Sequence, residues 1–154
     1  MSRSGYTDDC DGSELAMWRG QVASAMRGKR GQKLLRDFVS ALDDMPEKRL
    51  GRGALKDEDG CMCSLGVVAD ARGLDMADVK FDCDPDGWDG PTIGHKAFAE
   101  RFDVASQLTK EIMFENDEGH WDYNETPEQR WSRMRRWAIE HIATPSAPET
   151  GGEG

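Results

Sequence analysis

The sequence predicts an all-α fold: a single compact domain of about six to eight short helices with a disordered C-terminal tail. Three observations carry this. Apolar residues recur at spacings of three and four through most of the chain. Gly and Pro residues interrupt those runs at intervals of helix length. The one segment that would suit a buried strand has no partner elsewhere.

In chain order, residues 1–9 are polar and read as an irregular N-terminus, ahead of a helical domain over 10–143. Asp11 or Ser13 can cap a first helix from Glu14, with Leu15, Trp18, Val22 and Ala25 on one face. Gly28 and Gly31 interrupt or bend it. A second helix follows on the stripe Leu34, Leu35, Phe38, Val39 and Leu42. Pro46 stops that helix and can start a short helical turn at Glu47, weakened by Gly51 and Gly53.

Asp57–Gly60 reads as a loop. The segment from Cys61 to Arg72 is the ambiguous one: Leu65, Val67 and Val68 suit a strand, whereas Ala69, Ala71 and the length favour a helix ended by Gly73. We read it as helix. Asp75 can cap a short turn through Val79, and residues 81–91 form an acidic loop. Thr92 can cap a helix through Ile93, Ala97 and Phe98, and another runs from about Asp103 through Val104, Leu108 and Ile112 to Phe114, ended near Gly119.

The final helix carries the clearest start signal. Thr126 is the cap, Pro127 occupies the first helical position, and Gln129 completes a capping box. Trp131, Met134, Trp137, Ala138 and Ile142 supply its inner face. Residues 144–154 contain no large apolar side chain, so they cannot offset their own ordering entropy and read as a disordered tail.

The chain has 154 residues and 17.2 kDa, one domain's worth. Twenty bases against thirty acids give a net charge of −10, and 37% of residues are hydrophobic. The longest stretch without a charge is ten residues, 60–69; a membrane helix needs about 18–20. No apolar segment of the signal-peptide type follows the N-terminus, so a cytoplasmic location with reduced thiols is expected. Of the four cysteines, Cys61 and Cys63 form C-x-C, shorter than the usual zinc spacing. A second pair would be Cys83 and His95, twelve apart. Buried or idle thiols are the preferred reading, and neither a metal nor another cofactor is expected.

Charge is segregated along the chain. Between Leu15 and Arg36 lie six bases and no acid. Within that run, Arg27-Gly28-Lys29-Arg30-Gly31 could grip a phosphate through its bases and its glycine backbone, or could be a solvated helix junction. A second basic cluster (Arg130, Arg133, Arg135, Arg136) lies on the last helix. Arg27, Lys29, Arg30, Arg133 and Arg136 are therefore the candidates for nucleic-acid contact. The acidic loop offers Asp82, Asp84, Asp86 and Asp89 with Trp88 as an aromatic anchor for a partner. Its spacing does not make a calcium loop, because no glutamate stands at the twelfth position, Ile93.

No phosphate loop, nucleophile elbow, metalloprotease helix or dinucleotide fingerprint is present in the sequence. His95, His120 and His141 belong to no recognisable motif, and nothing local activates Cys63 as a nucleophile. The reading leans away from an enzyme.

Several segments taken together carry a family likeness: Ser4–Gly12, Trp18–Gly20, Arg27–Gln32, Met45–Leu50, Cys63–Gly66, Ala71–Met76, Asn116–Gly119, and Thr126–Glu128 with Arg133–Arg135. Through these the chain resembles a family of short uncharacterised proteins from bacteriophages and prophages of proteobacteria, over most of residues 4–142. It departs from that pattern at the extra thiol Cys61 and in the Asp- and Trp-rich stretch 83–90. The resemblance implies a phage accessory protein and brings no established activity with it.

The expectation is thus a protein that binds a host protein or complex without chemistry of its own, counter-defence against a CRISPR effector or restriction complex being one version. The alternatives are a small nucleic-acid-binding regulator using the Arg27–Arg30 turn, and a phage structural or assembly protein. No membrane partner is expected.

Overall fold

The computed structural model describes residues 12–83, 89–118 and 124–143. The expectations for residues 1–9, for the tail 144–154 and for the turn at Gly119 lie outside these. Six helices are described: α1 (Gly12–Arg27), α2 (Lys29–Asp44), α3 (Ser64–Arg72), α4 (His95–Arg101), α5 (Ser106–Glu118) and α6 (Pro127–His141). Two three-residue strands, β1 (Phe81–Cys83) and β2 (Asp89–Pro91), pair antiparallel with Phe81 opposite Pro91. The all-α class holds, with this small ribbon as its one regular β element among the described residues.

Helix α2 is the centre of the fold and packs against α1, α3 and α6. Its stripe works as the sequence suggests: Leu34, Leu35, Phe38 and Leu42 are fully buried. They meet Leu65 and Val68 of α3, Leu108 and Ile112 of α5, and Met134 and Ala138 of α6 in one continuous core. Phe98 and Phe102 close it at the far side, edge to face with ring centroids 5.1 Å apart.

Gly28 separates α1 from α2, and Gly31 lies one turn inside α2 where the two helices touch. A Cβ there would lie 1.9 Å from the carbonyl oxygen of Ala25, so only glycine allows that approach. Gln32 then ties the junction to the other end of the chain. Its amide donates to the carbonyls of Met26 and His141, and its oxygen accepts from the Ala143 N–H at 2.8 Å.

The ambiguous segment is a helix. Gly73, with φ 66°, ends α3, and the Leu74 N–H reaches back to the Ala69 carbonyl in a Schellman-type turn. The capping box at Thr126 is present in full.

Several element readings need correction. Residues 45–63 contain no helix: the turn expected at Glu47 is replaced by an irregular strap. Its Leu50 is buried, and Gly51 donates to the Met62 carbonyl at 2.8 Å. Gly51 and Gly53 outweigh the helical start that Pro46 offers. Asp75–Val79 is a single turn, as read, with Asp75 accepting the Ala77 N–H and the Val79 N–H reaching the Met76 carbonyl.

Thr92 does not cap α4. Its hydroxyl accepts the Lys80 N–H, and the cap position belongs to Gly94. Helix α5 begins at Ser106 rather than Asp103, because Asp103 adopts a left-handed conformation (φ 56°) that closes α4. Part of the acidic loop is the β1–β2 ribbon.

Candidate functional site

The two basic clusters have different fates. On α6, Arg133 turns inward: its guanidinium donates to Glu125 at 2.7 and 3.0 Å and to the carbonyls of Glu115 and Asn116. It thereby caps the C-terminal end of α5, where a cation is favoured by the helix dipole. Arg130 is buried, pairs with the same Glu125 at 3.3 Å, and donates to the Leu50 carbonyl at 3.0 Å. Arg135 pairs with Asp43, while Arg136 stays exposed. Arg27, Lys29 and Arg30 are all exposed at the α1–α2 junction, and Arg30 lies 3.4 Å from Asp103. The five bases proposed for nucleic acid therefore do not form one free group, since Arg133 is spent inside the fold.

Beside Arg133 lies a polar centre that the sequence reading missed. Asn116, 1% exposed, accepts the Ser64 N–H at 3.1 Å and the Ser64 hydroxyl at 2.7 Å. Its amide nitrogen donates to the Gly51 carbonyl and to Asp117. One side chain thus joins the start of α3, the strap and the end of α5. A small cavity of about 80 Å³ opens next to it, bounded by Cys63, Leu65, Phe81, Gly90, Ile112 and Met113 among others. The sequence holds a trace of this centre in the adjacent Asn116 and Asp117 of the last turn of α5.

Cys61 and Cys63 are free and buried. Burial pushes the Cys63 thiol up to about 12, against the opposing pull of the Gly66 N–H. At neutral pH it is a protonated thiol that packs as a small apolar side chain. The Cys61 thiol is also pushed up, first by burial and then by the Asp57 carboxylate. Asp57 holds the turn closed by accepting the N–H groups of Asp59 and Cys61. No group of three or more His, Cys, Asp or Glu among the described residues is placed to hold a metal ion. The side chain of Cys83 lies outside those residues.

The acidic loop is described only in part. Asp82 and Asp89 belong to β1 and β2 by their backbones, with Asp89 opposite Cys83. Their side chains, and all of Asp84, Asp86 and Trp88, lie outside the described residues.

Two open grooves flank α3 and share Met62 and Asp70. One, of about 520 Å³, runs between the strap and residues 74–81, over Leu55, Leu74, Met76 and Val79. The other, of about 470 Å³, lies between the end of α2 and α3, with Met45, Cys61, Met62 and Val67 along it and Asp44, Glu47 and Asp70 at its edge. Both are larger and more open than the cavity at Asn116 and fall in the size range of binding clefts.

Among the described residues no helix is long and apolar enough to cross a membrane. Compared with known proteins, the chain matches no family model, and no curated protein and no solved structure is significantly similar to it. What fold and surface define is a class: a small helical domain with an internally locked polar centre and two grooves of mixed apolar and charged lining flanking one helix.

Proposed function

We propose that this protein acts by binding a host protein or complex in a phage-infected bacterial cell, counter-defence being the concrete form. The single observation that carries this reading is the pair of methionine-containing grooves on either side of α3. Unbranched, polarizable methionine side chains adapt to a partner's shape and are over-used at protein-binding surfaces. The protonated Cys63 thiol and the inward-turned Arg133 add support by occupying residues that a catalytic or phosphate-gripping reading would need.

The test is an affinity pull-down of the tagged full chain from infected host lysate at two salt concentrations, with and without nuclease. Recovery of one host or defence protein that survives nuclease is the expected result. Recovery of nucleic acid and its usual companions, lost on nuclease treatment, would overturn the reading.

A second reading keeps one specific observation in its favour. Arg27 and Lys29 are exposed at a glycine-containing helix junction. A regulator that used this junction on nucleic acid would bind with steep salt dependence and weaken on Arg30→Glu. An assembly role in the phage particle predicts co-purification with virions.

A further inference from the structure

The groove between α2 and α3 has an electrostatic feature that its apolar floor does not require. The last turn of α2 carries Asp43 and Asp44 and no base. Acids there face the negative end of the helix dipole, an arrangement that favours cations instead. Around Asp43 the imbalance is relieved. Arg135 pairs with its carboxylate at 2.7 Å, and Lys48 donates to the carbonyls of Leu42 and Asp43. Asp44 receives neither.

Across the groove, Asp70 projects from α3. Both carboxylates are exposed, and neither has an ion pair among the described residues. The one base lining the groove, Arg49, is held by Glu47 at 2.9 Å. On α2 and α3 themselves, Lys33 and Arg72 converge on Asp37. The two free acids therefore flank a floor built from the half-buried Met45 and Met62 and the buried Val67 and Cys61.

We infer that this groove is a docking site for a basic, apolar segment of a partner protein, in which an Arg or Lys sits between Asp44 and Asp70 and a neighbouring large apolar side chain packs on Met45 and Met62. The inference rests on the protein-binding reading above and names the chemistry of the partner. The charge sign selects a basic segment over an acidic one, and it disfavours nucleic acid at this face. The floor selects an amphipathic segment, whose apolar side chains enter the groove while its bases meet the rim.

The probe is a fluorescently labelled amphipathic helical peptide of Leu and Arg, read by anisotropy against the full chain, with a Leu and Glu peptide as its counterpart. Binding of the Arg peptide alone is expected. Asp44→Asn with Asp70→Asn should weaken it tenfold or more. The equally charged pair Glu100→Gln with Glu140→Gln, on exposed faces of α4 and α6, should change it less than twofold. Met45→Ser should weaken it when measured well below the variant's own melting point, which falls because Met45 also packs against the core.

Four results would overturn the inference: no binding of the Arg peptide, equal binding of the Glu peptide, equal weakening by both charge pairs, or a dimer in sedimentation that the Asp44/Asp70 variant dissolves. The last would make a second copy the occupant. If the peptide fails while the pull-down still yields a host protein, the docking site is wrong and the protein-binding reading stands. If the pull-down fails while the peptide result holds, the groove takes a basic amphipathic segment and its source in a host protein is wrong.

Discussion

Two arginine clusters of similar composition behave differently in this molecule. On α6, Arg130 and Arg133 are drawn into the fold around Glu125, whose side chain is 6% exposed. At the α1–α2 junction, Arg27, Lys29 and Arg30 remain at the surface. The difference lies in what each cluster faces. The α6 arginines meet the carbonyl end of α5 and a carboxylate delivered by the turn before their own helix. The junction bases meet solvent and one exposed acid, Asp103. A run of positive charge thus becomes architecture or surface according to the groups packed against it.

The strongest way to break the comparison is to remove the anion at its centre. Glu125→Ala leaves two largely buried guanidinium groups without their carboxylate, and breaking a buried pair costs about 3–5 kcal/mol. Denaturant unfolding should register a loss of that order. An unchanged midpoint would mean that the α6 cluster is surface charge after all.

Next come the close packings that hold the strap and the junction. A Cβ on Gly66 would lie 1.9 Å from the Leu55 carbonyl oxygen. Gly66→Ala therefore forces the strap away from α3, at roughly 1–3 kcal/mol for an overpacked site. Asn116→Ala should cost at least as much, since it strands the Ser64 N–H and the Gly51 carbonyl, and unsatisfied buried groups cost about 1–3 kcal/mol each. Thermal melts of the two variants test both.

A smaller, pH-dependent effect belongs to Asp37. Partial burial works to raise its pKa, but the hydrogen bonds from Lys33 and Arg72 overcome this and hold the carboxyl below its ordinary value of 3.8. A carboxyl depressed in the folded state stabilises above its unfolded pKa, and that contribution fades as pH falls through the lower folded value. Stability of the parent should therefore decline below about pH 4 more steeply than that of Asp37→Asn. Parallel acid limbs in the two unfolding curves would contradict the assignment.

The smallest effect sharpens the comparison from its other side. Arg27→Glu with Lys29→Glu, both at exposed positions, should move stability by no more than about 0.5 kcal/mol. A large loss would place those bases inside the architecture with Arg133.

The helices were legible wherever spacing and caps agreed. The α2 stripe and the Thr126-Pro127-Gln129 signal depend only on neighbours within one or two turns, and both stand as read. The misread elements are those in which a distant partner outweighs local preference. Thr92 has a capping side chain, but the Lys80 N–H across the ribbon takes its hydroxyl. The strap has a proline start, but Gly51 turns it back onto Met62, and Arg130 and Asn116 bind its backbone into place from elsewhere. Among candidate site residues, the cation cluster on α6 was visible as composition, and its inward turn was not.

By itself the sequence determined the helical class, the boundaries set by Gly28, Gly73 and Thr126, and the core stripe of α2, because each follows from contacts within a few residues. Only the tertiary structure decided which charges are spent and which remain. It set Arg133 on Glu125 and Arg135 on Asp43, and it left Asp44 and Asp70 free beside a methionine floor. The physical reason is that a charge's free energy depends on burial and on the nearest opposite charge. Both are fixed when segments distant in the chain come together.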